Sequence, residues 1–324
     1  MRTTVLLLSV DEAPMLAYSL PAALVQEGAD VVVVDNGCRD DTAALARRHG
    51  ARLLRYGTRV SYAAAMNMAL ADTDGDAVLF LNADCFLGPD FLARARPRLD
   101  EDDVGSVAPK LLRTAGPLDG GTDGAIDAAG MTVDRRRKNG LVGHGRPAAA
   151  FARPADCFGA DGAAALYRRS VLDRCALTPR PSGSGTPEVF DEDMALWASD
   201  ADLAWRARLL GWRCVYEPGA LARHVRTYSP STRAQVSEAH RRLQFRNRYL
   251  MWVKNETRRG LLQDLPHVLA YEAAALGHVL LRERHLLAGY REVRAALPEA
   301  RERRREVQVR RAVARPPFGL RPPE

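Results

Sequence analysis

The sequence predicts an α/β protein with a mostly parallel central sheet flanked by helices, followed by a helical extension at the C-terminus. Two observations predict this class. In the first part of the chain, short apolar runs of strand length alternate with helical patterns, which is the element order of a parallel sheet. Beyond about residue 228 the pattern is helical throughout, with leucines recurring at helical spacing.

The first elements can be placed in order along the chain. Strands are predicted at residues 5–8, 31–34, 52–56 and 77–81. Helices are predicted at 14–27, from residue 40 or 41, and at 61–71, where Ser61 serves as the N-cap. Four consecutive valines at 31–34 are typical of a parallel strand covered on both faces. No Gly-x-Gly-x-x-Gly follows the first strand, which disfavours a dinucleotide-binding protein.

The composition indicates a cytoplasmic globular protein. The chain has 324 residues, of which 47% are hydrophobic, enough for one large core or two smaller ones. Its five cysteines are odd in number and widely spaced, as expected of reduced thiols. The N-terminus lacks the pattern of a signal peptide, and no apolar run approaches the roughly 20 residues of a membrane span.

Most of the net charge of +7 lies near the C-terminus, because residues 282–315 hold 11 arginines and five glutamates. This tail has a single aromatic residue, Tyr290, and the chain has no nucleic-acid motif, so we expect no nucleic-acid partner. An anionic surface is the better candidate. Residues 260–315 are predicted to form amphipathic helices that could lie on a membrane, but a helical hairpin packed on the first part of the chain or a homodimer contact predicts the same pattern.

Asp84 follows the predicted strand at 77–81, where the sequence reads Asn-Ala-Asp. In open α/β sheets the ligand crevice lies at the carboxyl ends of the strands, so a carboxylate there can hold a divalent cation against phosphates. An ordinary turn aspartate is the alternative.

Five carboxylates crowd into the segment 191–202, namely Asp191, Glu192, Asp193, Asp200 and Asp202. Ser199 and Asp202 approximate a capping box for a helix that ends near Gly211. Asp200 falls in the first turn of that helix, where the helix dipole is expected to keep it ionised, as a general base requires.

Two segments are predicted to be loops, because 114–147 is rich in Gly, Asp and Arg and 180–187 is rich in Gly, Ser and Pro. Because the pattern becomes wholly helical beyond residue 228, we divide the chain into an α/β domain at 1–228, with halves at about 1–110 and 111–228, and a helical, basic extension at 229–324.

A series of motifs runs in a family-specific order over about residues 4–256. The motifs are Val31 to Thr42, Tyr62 to Asn67, Leu81 to Asp84, Phe158 to Arg169, Phe190 to Glu192, Ser199 to Arg206, Gly211 to Tyr216, Pro218 to Ala220 with His224, Arg246 to Arg248, and Lys254 with Asn255. In these motifs the chain resembles the inverting family 2 glycosyltransferases of the GT-A fold, especially bacterial rhamnosyltransferase-like members.

The resemblance implies a role for each matching residue. Asp35, with Asn36 beside it, would contact the nucleotide base or ribose, although Asp35 could instead form an Asx-turn. Asn67 and Asn82 also match positions of the nucleotide-sugar site. Asp84 would bind Mg²⁺ or Mn²⁺, with His224 completing the site.

On the acceptor side, the resemblance implies that Asp200 is the general base. Gly159, Asp191, Glu192 and Asp202 would contact the sugar or the acceptor. Tight helix packing is the alternative for Gly159, and capping is the alternative for Asp202. This sequence departs from the family pattern at Asn82, usually aspartate, and at Ser199, usually glutamate.

The resemblance implies that residues 1–228 form the GT-A catalytic domain, with the nucleotide bound by about 1–110 and the acceptor by about 111–228. The function implied is transfer of a sugar, with rhamnose the expected one, with inversion from a dTDP- or UDP-linked donor to a glycan or lipid-linked acceptor. The enzyme would work in the cytoplasm or on the inner face of the membrane, in cell-envelope polysaccharide synthesis. The departures at Asn82 and Ser199 leave a second interpretation open, a non-catalytic nucleotide-sugar-binding or scaffold protein.

Overall fold

The computed structural model describes residues 1–119, 124–226 and 235–323. The strands are β1 Thr3–Ser9, β2 Ala29–Asn36, β3 Arg52–Tyr56, β4 Ala77–Asn82, β5 Cys85–Leu87, β6 Val104–Arg113, β7 Ile126–Ala129, β8 Met131–Val133, β9 Asn139–Leu141, β10 Ala155–Cys157, β11 Ala164–Arg168 and β12 Arg213–His224. The α-helices are α1 Ala13–Leu24, α2 Thr42–Arg48, α3 Tyr62–Ala71, α4 Phe91–Ala95, α5 Arg169–Cys175, α6 Ser199–Leu209, α7 Glu238–Asn255, α8 Arg258–Leu281 and α9 Leu287–Arg310.

The main sheet has the order β10-β12-β6-β11-β4-β1-β2-β3. The strands β4, β1, β2 and β3 are parallel to one another. Apolar residues of α1 pack on one face of these strands and those of α3 on the other, each in its own core. Because β4, β1 and β2 are covered on both faces, they contain continuous apolar runs, whereas the edge strand β3 carries two arginines. The predicted α/β class, with a mostly parallel sheet and a C-terminal helical region, is confirmed.

The second half of the sheet brings a distant residue beside Asp84. Strand β11 runs antiparallel to β4, and β12 is parallel to β6. The end of β12 also pairs antiparallel with β5, with His224 opposite Cys85. Asp84 directly precedes Cys85, so this register puts His224 next to Asp84.

The segment predicted as loop at 114–147 contains β7, β8 and β9, so that prediction is wrong for this part of it. Residues 120–123 lie outside the described residues. Ile126, Ala128 and Ala129 are buried in the main cores, and the turn between β8 and β9 carries Arg137, which is also buried. Arg137 pairs with Glu256 and, at 3.0 Å, with Asp264 of α8. The polar composition of this segment led to the prediction of a loop. The residues that pair with its charged side chains are distant in the sequence, so a local pattern does not reveal them.

The C-terminal helices are joined to the first part of the chain by a third hydrophobic core. Ala204 and Trp205 of α6 pack in it with Leu250 and Met251 of α7 and with Val307 of α9. The division between a domain at 1–228 and an extension at 229–324 stays a prediction, and this shared core crosses it. Among the described helices, none is both long and apolar enough to span a membrane.

Candidate active site

A cleft with two cavities lies where the parallel strands end. The first, of about 590 Å³, is lined by Asp11, by residues 37–39 after β2, and by residues 55–59 after β3. The second, of about 520 Å³, is lined by residues that include Glu12, Asn36, Tyr62, Asn82 and Asp84. Arg59 lines both. This is the position at which open α/β sheets bind ligands.

Asp35 and Asn36 end β2 at this cleft. Oδ1 of Asp35 accepts a hydrogen bond from the Cys38 amide at 2.7 Å, three residues on and so one residue further than in an Asx-turn, while Oδ2 lies 3.1 Å from Nε of Arg55. Asn36 exchanges two hydrogen bonds with the backbone of Val60, at 2.9 and 3.0 Å, and so holds the loop before α3. Both side chains therefore shape the cleft wall, and their contacts with nucleotide stay predictions.

Asp84 and His224 form the pair with the geometry of a metal site. Nε2 of His224 lies 3.4 Å from Oδ1 of Asp84, whose side chain is 19% exposed. Two metal–ligand bonds of about 2.1 Å can span that separation. Imidazole and carboxylate together suit Mn²⁺, so the donor set fits a divalent cation. Asn82 lines the same cavity and offers a further oxygen.

The other nitrogen of His224 is held by a residue that the sequence analysis missed. Nδ1 lies 2.8 Å from Oδ2 of Asp127, a fully buried residue of β7. Burial lowers the pKa of His224, but the hydrogen bonds with Asp127 and Asp84 outweigh it and raise that pKa to about 9. In the absence of a cation, the ring is therefore charged at neutral pH.

Asp200 lies in the first turn of α6, as predicted. Its Oδ1 accepts from the Ala201 amide at 2.8 Å and its Oδ2 from the Gly162 amide at 3.3 Å. Burial, reinforced by the charge of Asp161, raises the pKa of Asp200 to about 6. The pKa therefore lies above the ordinary value of a carboxyl group, although the start of a helix favours the ionised form. Asp200 is still mostly ionised at neutral pH and holds a proton readily, as a general base must.

Tyr62 connects Asp200 to the cleft. Tyr62 lines the second cavity and packs edge-on against Phe190, with ring centroids 5.5 Å apart. Burial raises the pKa of its phenol, and the charges of Asp200 and Asp161 raise it further. Both carboxylates therefore lie close to a residue of the cavity wall.

Asp191 and Asp202 are enclosed in the protein instead. Lys254 of α7 forms ion pairs with both, at 2.9 Å from Asp202, and Asn255 donates to Asp202 at 2.7 Å. Burial raises the pKa of Asp191, but Lys254 and Arg180 outweigh it and hold that pKa well below its usual range. The roles of Asp191 and Asp202 as sugar contacts stay predictions. Both carboxylates already form ion pairs with cationic side chains of the protein.

The predicted capping box at Ser199 is wrong. The helix begins at Ser199 itself, after Ala198, and no side chain caps it. Ala198 adopts a left-handed conformation with φ of 63°. The carboxylate of Asp202 is drawn away from the helix end by Lys254 and by Arg206, which lies 3.0 Å from it.

Three further predicted residues have internal contacts. Asn67 exchanges hydrogen bonds with the backbone of Phe190 and donates to Glu192 at 3.1 Å. Glu192 also accepts from both the hydroxyl and the amide of Ser184. A Cβ atom at Gly159 would lie 2.4 Å from that of Ala204, so this glycine allows close packing on α6. Their substrate contacts stay predictions.

Several residues of the site were not singled out from the sequence. Asp127 lies in the segment predicted as loop, and Arg226 follows His224 without any motif. Glu12 could have been found, because it follows β1 just as Asp84 follows β4. Burial and the nearby charge of Asp84 raise the pKa of Glu12 to about 7.

A group of three possible metal ligands also occurs at the first cavity. The donor atoms of Asp11, Cys38 and Asp40 lie within 4.8 Å of one another. However, Asp11 pairs with Arg59, and Asp40 accepts from the Ala13 amide at 2.7 Å. These carboxylates already bind groups of the protein, and we assign no cation to them.

A parallel sheet with a polar cleft at its carboxyl ends and a carboxylate–imidazole pair is typical of an α/β protein that binds a ligand at its strand ends. The family model described as glycosyl transferase family 2 matches residues 4–175, more than half of the chain. The chain therefore belongs to glycosyl transferase family 2, and the predicted GT-A fold and glycosyltransferase class are confirmed.

Solved structures support the fold at low identity. A mannosyltransferase from Pyrobaculum calidifontis, in complex with GDP-Man and Mn²⁺, is 20% identical with a TM-score of 0.52, covering 95% of this chain and 84% of that one. S. aureus TarS, in complex with UDP-GlcNAc, is 16% identical with a TM-score of 0.59, covering 95% and 89%.

One curated relative matches a long stretch of this chain, but its description gives no activity. An uncharacterized protein of Sinorhizobium fredii is 25% identical over 226 residues, which are 67% of this chain. The chain spans only 23% of the length of the curated relatives that it matches.

Proposed function

We propose that this protein is an inverting glycosyltransferase that moves a sugar, rhamnose in our prediction, from a dTDP- or UDP-linked donor to a glycan or lipid-linked acceptor. The observation that carries the proposal is the pairing of two chemistries at one cleft. Asp84 and His224 offer a cation site at the strand ends, while Asp200 offers a carboxylate with a pKa of about 6 beside the same cavity wall.

Asp200 acts as the base. Its carboxylate removes the proton from an acceptor hydroxyl, and the oxygen attacks the anomeric carbon on the face opposite the leaving group. The new bond joins acceptor oxygen and anomeric carbon, while the bond from that carbon to the phosphate oxygen breaks. One displacement of this kind inverts the anomeric configuration. The sugar leaves as part of the product glycan, and the nucleoside diphosphate remains to be released.

The strand ends hold the donor. Asp35 and Asn36 contact its nucleoside, and Asn67 and Asn82 support or contact the nucleotide sugar. Asp84 and His224 would hold Mg²⁺ or Mn²⁺, and the cation would supply positive charge to balance that of the departing diphosphate. The complexes of the P. calidifontis mannosyltransferase with GDP-Man and Mn²⁺ and of TarS with UDP-GlcNAc support a nucleotide-sugar donor and, for the first, a divalent cation.

Calorimetric titration of UDP, dTDP and GDP, with and without Mn²⁺, tests this function. We expect one nucleotide to bind with Mn²⁺-dependent affinity, and Asp84→Ala to lose the Mn²⁺-dependent part because the carboxylate ligand is gone. Asp90→Ala, which removes an exposed aspartate from the same segment, is the matched control and should bind as the wild type does.

Two other results would change the conclusion. Binding of a nucleotide sugar without turnover of any donor would favour the non-catalytic protein, since Asn82 and Ser199 depart from the family pattern. If no nucleotide bound under any condition, the transferase function would be excluded.

We further propose that the enzyme works at the inner face of the cell membrane in envelope polysaccharide synthesis, bound through its C-terminal helices. The support is an apolar stripe on α8, where Leu262 is 72% exposed and Leu269 is 59% exposed, next to the arginine-rich α9. Such a helix face suits an anionic lipid surface.

Flotation with anionic vesicles at low salt tests the membrane proposal. The double variant Leu262→Ser/Leu269→Ser should remain unbound. The control Leu118→Ser replaces an exposed leucine outside α8 and should float with the vesicles. Lack of flotation by the wild type would exclude membrane binding. A wild-type dimer that the double variant dissociates would assign the stripe to a homodimer.

A further inference from the structure

A cluster of three charged residues lies between the proposed metal site and the proposed base. Arg226 donates to both oxygens of Asp127, at 2.6 and 2.8 Å, and its Nη2 also donates to Asp161 at 2.9 Å. The side chains of Asp127, Asp161 and Arg226 are 0%, 8% and 17% exposed. We call these three residues the Arg226 bridge. A buried network of hydrogen-bonded charges is rigid, so it restricts the orientation of the side chains that contact it.

One end of the bridge fixes His224. Asp127 binds Nδ1 of the ring, and this leaves Nε2 directed at Asp84. Arg226 donates to both oxygens of Asp127, so this carboxylate acts as a hydrogen-bond acceptor toward Nδ1 of His224 as well. In the neutral ring the proton therefore sits on Nδ1, and Nε2 is free to act as a ligand.

The other end of the bridge lies beside Asp200. The carboxylate of Asp161 accepts hydrogen bonds from the Ala163 amide, at 2.9 Å, and from Arg226. The residue that follows Asp161 is Gly162, whose amide donates to Asp200. The bridge therefore holds a negative charge next to the carboxylate of Asp200. The other titratable groups that interact with Asp200 are Tyr62 of α3, Tyr167 of β11 and Arg226 itself.

We propose that the Arg226 bridge positions the two halves of the active site: Asp127 orients His224 toward the cation, Asp161 sets the charge beside Asp200, and Arg226 holds both carboxylates in place. This inference rests on the proposed transferase function and assigns roles to three residues outside the predicted site. It also accounts for the departure at Ser199, because Asp161 supplies from another loop the negative charge that a glutamate at 199 would have placed beside the base.

Two measurements separate the ends of the bridge. The first is Mn²⁺ affinity, followed by the electron paramagnetic resonance signal of free Mn²⁺. The second is the pH dependence of transfer with the donor that the nucleotide titration identifies. Asp127→Asn should weaken Mn²⁺ binding roughly 10- to 100-fold, as loss of an outer carboxylate does at other metal–histidine sites.

Asp161→Asn should change the pH dependence of transfer instead. We expect Mn²⁺ affinity within about twofold of the wild type, while the acid midpoint of transfer moves down by about one pH unit because a neighbouring negative charge is lost. Arg226→Gln should change both readouts, since it releases both carboxylates.

The outcomes distinguish this inference from the proposed function. If the wild type binds Mn²⁺ and transfers sugar but the folded Asp127→Asn and Asp161→Asn variants match it in both readouts, the bridge is purely structural and the inference is wrong. If the wild type itself neither binds Mn²⁺ nor transfers sugar, the proposed function fails and the bridge with it.

Folding is checked by thermal unfolding of each variant. Because Asp127→Asn leaves Arg226 with one anionic partner fewer, the double variant Asp127→Asn/Arg226→Gln provides a balanced substitute. It should show the same loss of Mn²⁺ affinity, and unchanged affinity in this variant would also overturn the inference.

Discussion

Two groups of carboxylates in this protein have opposite environments. The cleft cluster consists of Glu12 and Asp200, and the buried cluster consists of Glu188, Asp191 and Asp202. In the buried cluster every carboxylate forms ion pairs with arginine or lysine, including Arg303 of α9 at 2.7 Å from Glu188. In the cleft cluster, Glu12 and Asp200 have raised pKa values of about 7 and 6, and the cations that influence them act from a distance.

Asp200 and Asp202 show how small a difference in sequence separates the two environments. Residues two apart on a helix face different directions, so Asp200 lies beside Gly162 while Asp202 meets Lys254 of α7. The comparison teaches that the function of a carboxylate here depends on whether the C-terminal helices supply a cation. A paired carboxylate stabilises the fold, and one without a close cation can exchange a proton.

The largest expected effect is on catalysis. Asp200→Asn should lower the transfer rate about 10²- to 10⁴-fold, the usual contribution of a general base. The exposed Asp173→Asn serves as the control and should leave the rate unchanged. The rate is measured as release of nucleoside diphosphate in the presence of acceptor. A variant with wild-type turnover would show that Asp200 is not the base.

The same substitution should increase stability. Folding raises the pKa of Asp200 above its ordinary value, so its ionisation lowers the free energy of unfolding as the pH rises through about 6. Asparagine cannot ionise. At pH 8 we therefore expect Asp200→Asn to raise the free energy of unfolding by roughly 1 kcal/mol, discounted because the residue is partly exposed.

The next effect is on the buried cluster. Lys254→Met should lower the free energy of unfolding by about 3–5 kcal/mol, because Asp191 and Asp202 keep their buried charges and lose a shared cation. Urea denaturation measures the change. Arg259→Met, at an exposed cation of α8, should stay within about 0.5 kcal/mol of the wild type. Equal values for the two variants would contradict the comparison.

The smallest effect is a pH dependence. Transfer by the wild-type enzyme should fall to half as the pH drops through about 6, because protonation of Asp200 removes the base. Initial rates between pH 5 and pH 8 measure this, with donor binding followed separately to exclude loss of affinity. A rate that is constant down to pH 5 would mean that Asp200 has an ordinary pKa or plays no part in proton transfer.

Local patterns were enough to predict β1 to β4 and α1 to α3, because β1, β2 and β4 contain continuous apolar runs and the segments between them have helical patterns. Ser61 caps α3 as predicted, accepting from the Ala64 amide at 3.1 Å. The position of Asp84 at a strand end also followed from the sequence alone. Roles taken from the family motifs for Asp35 and Asp200 stay predictions.

The rest depended on contacts between distant residues. Asp127 and His224 are 97 positions apart, and no local pattern shows that they meet. The strands at 126–141 were missed because their polar residues, above all Arg137, are paired with α8 and the segment before it. Likewise Ser199 and Asp202 have the spacing of a cap, but a lysine from α7 determines where Asp202 points.

The pairing of Lys254 with two aspartates has a consequence for how such chains can change over evolutionary time. Losing the lysine alone leaves two buried carboxylates with one cation fewer, and losing one aspartate alone leaves the buried lysine with one anion fewer, so single substitutions at these positions are costly. We expect related sequences to replace them together or not at all. An exchange of the C-terminal helices between family members would succeed only if the segment around 188–202 came from the same parent.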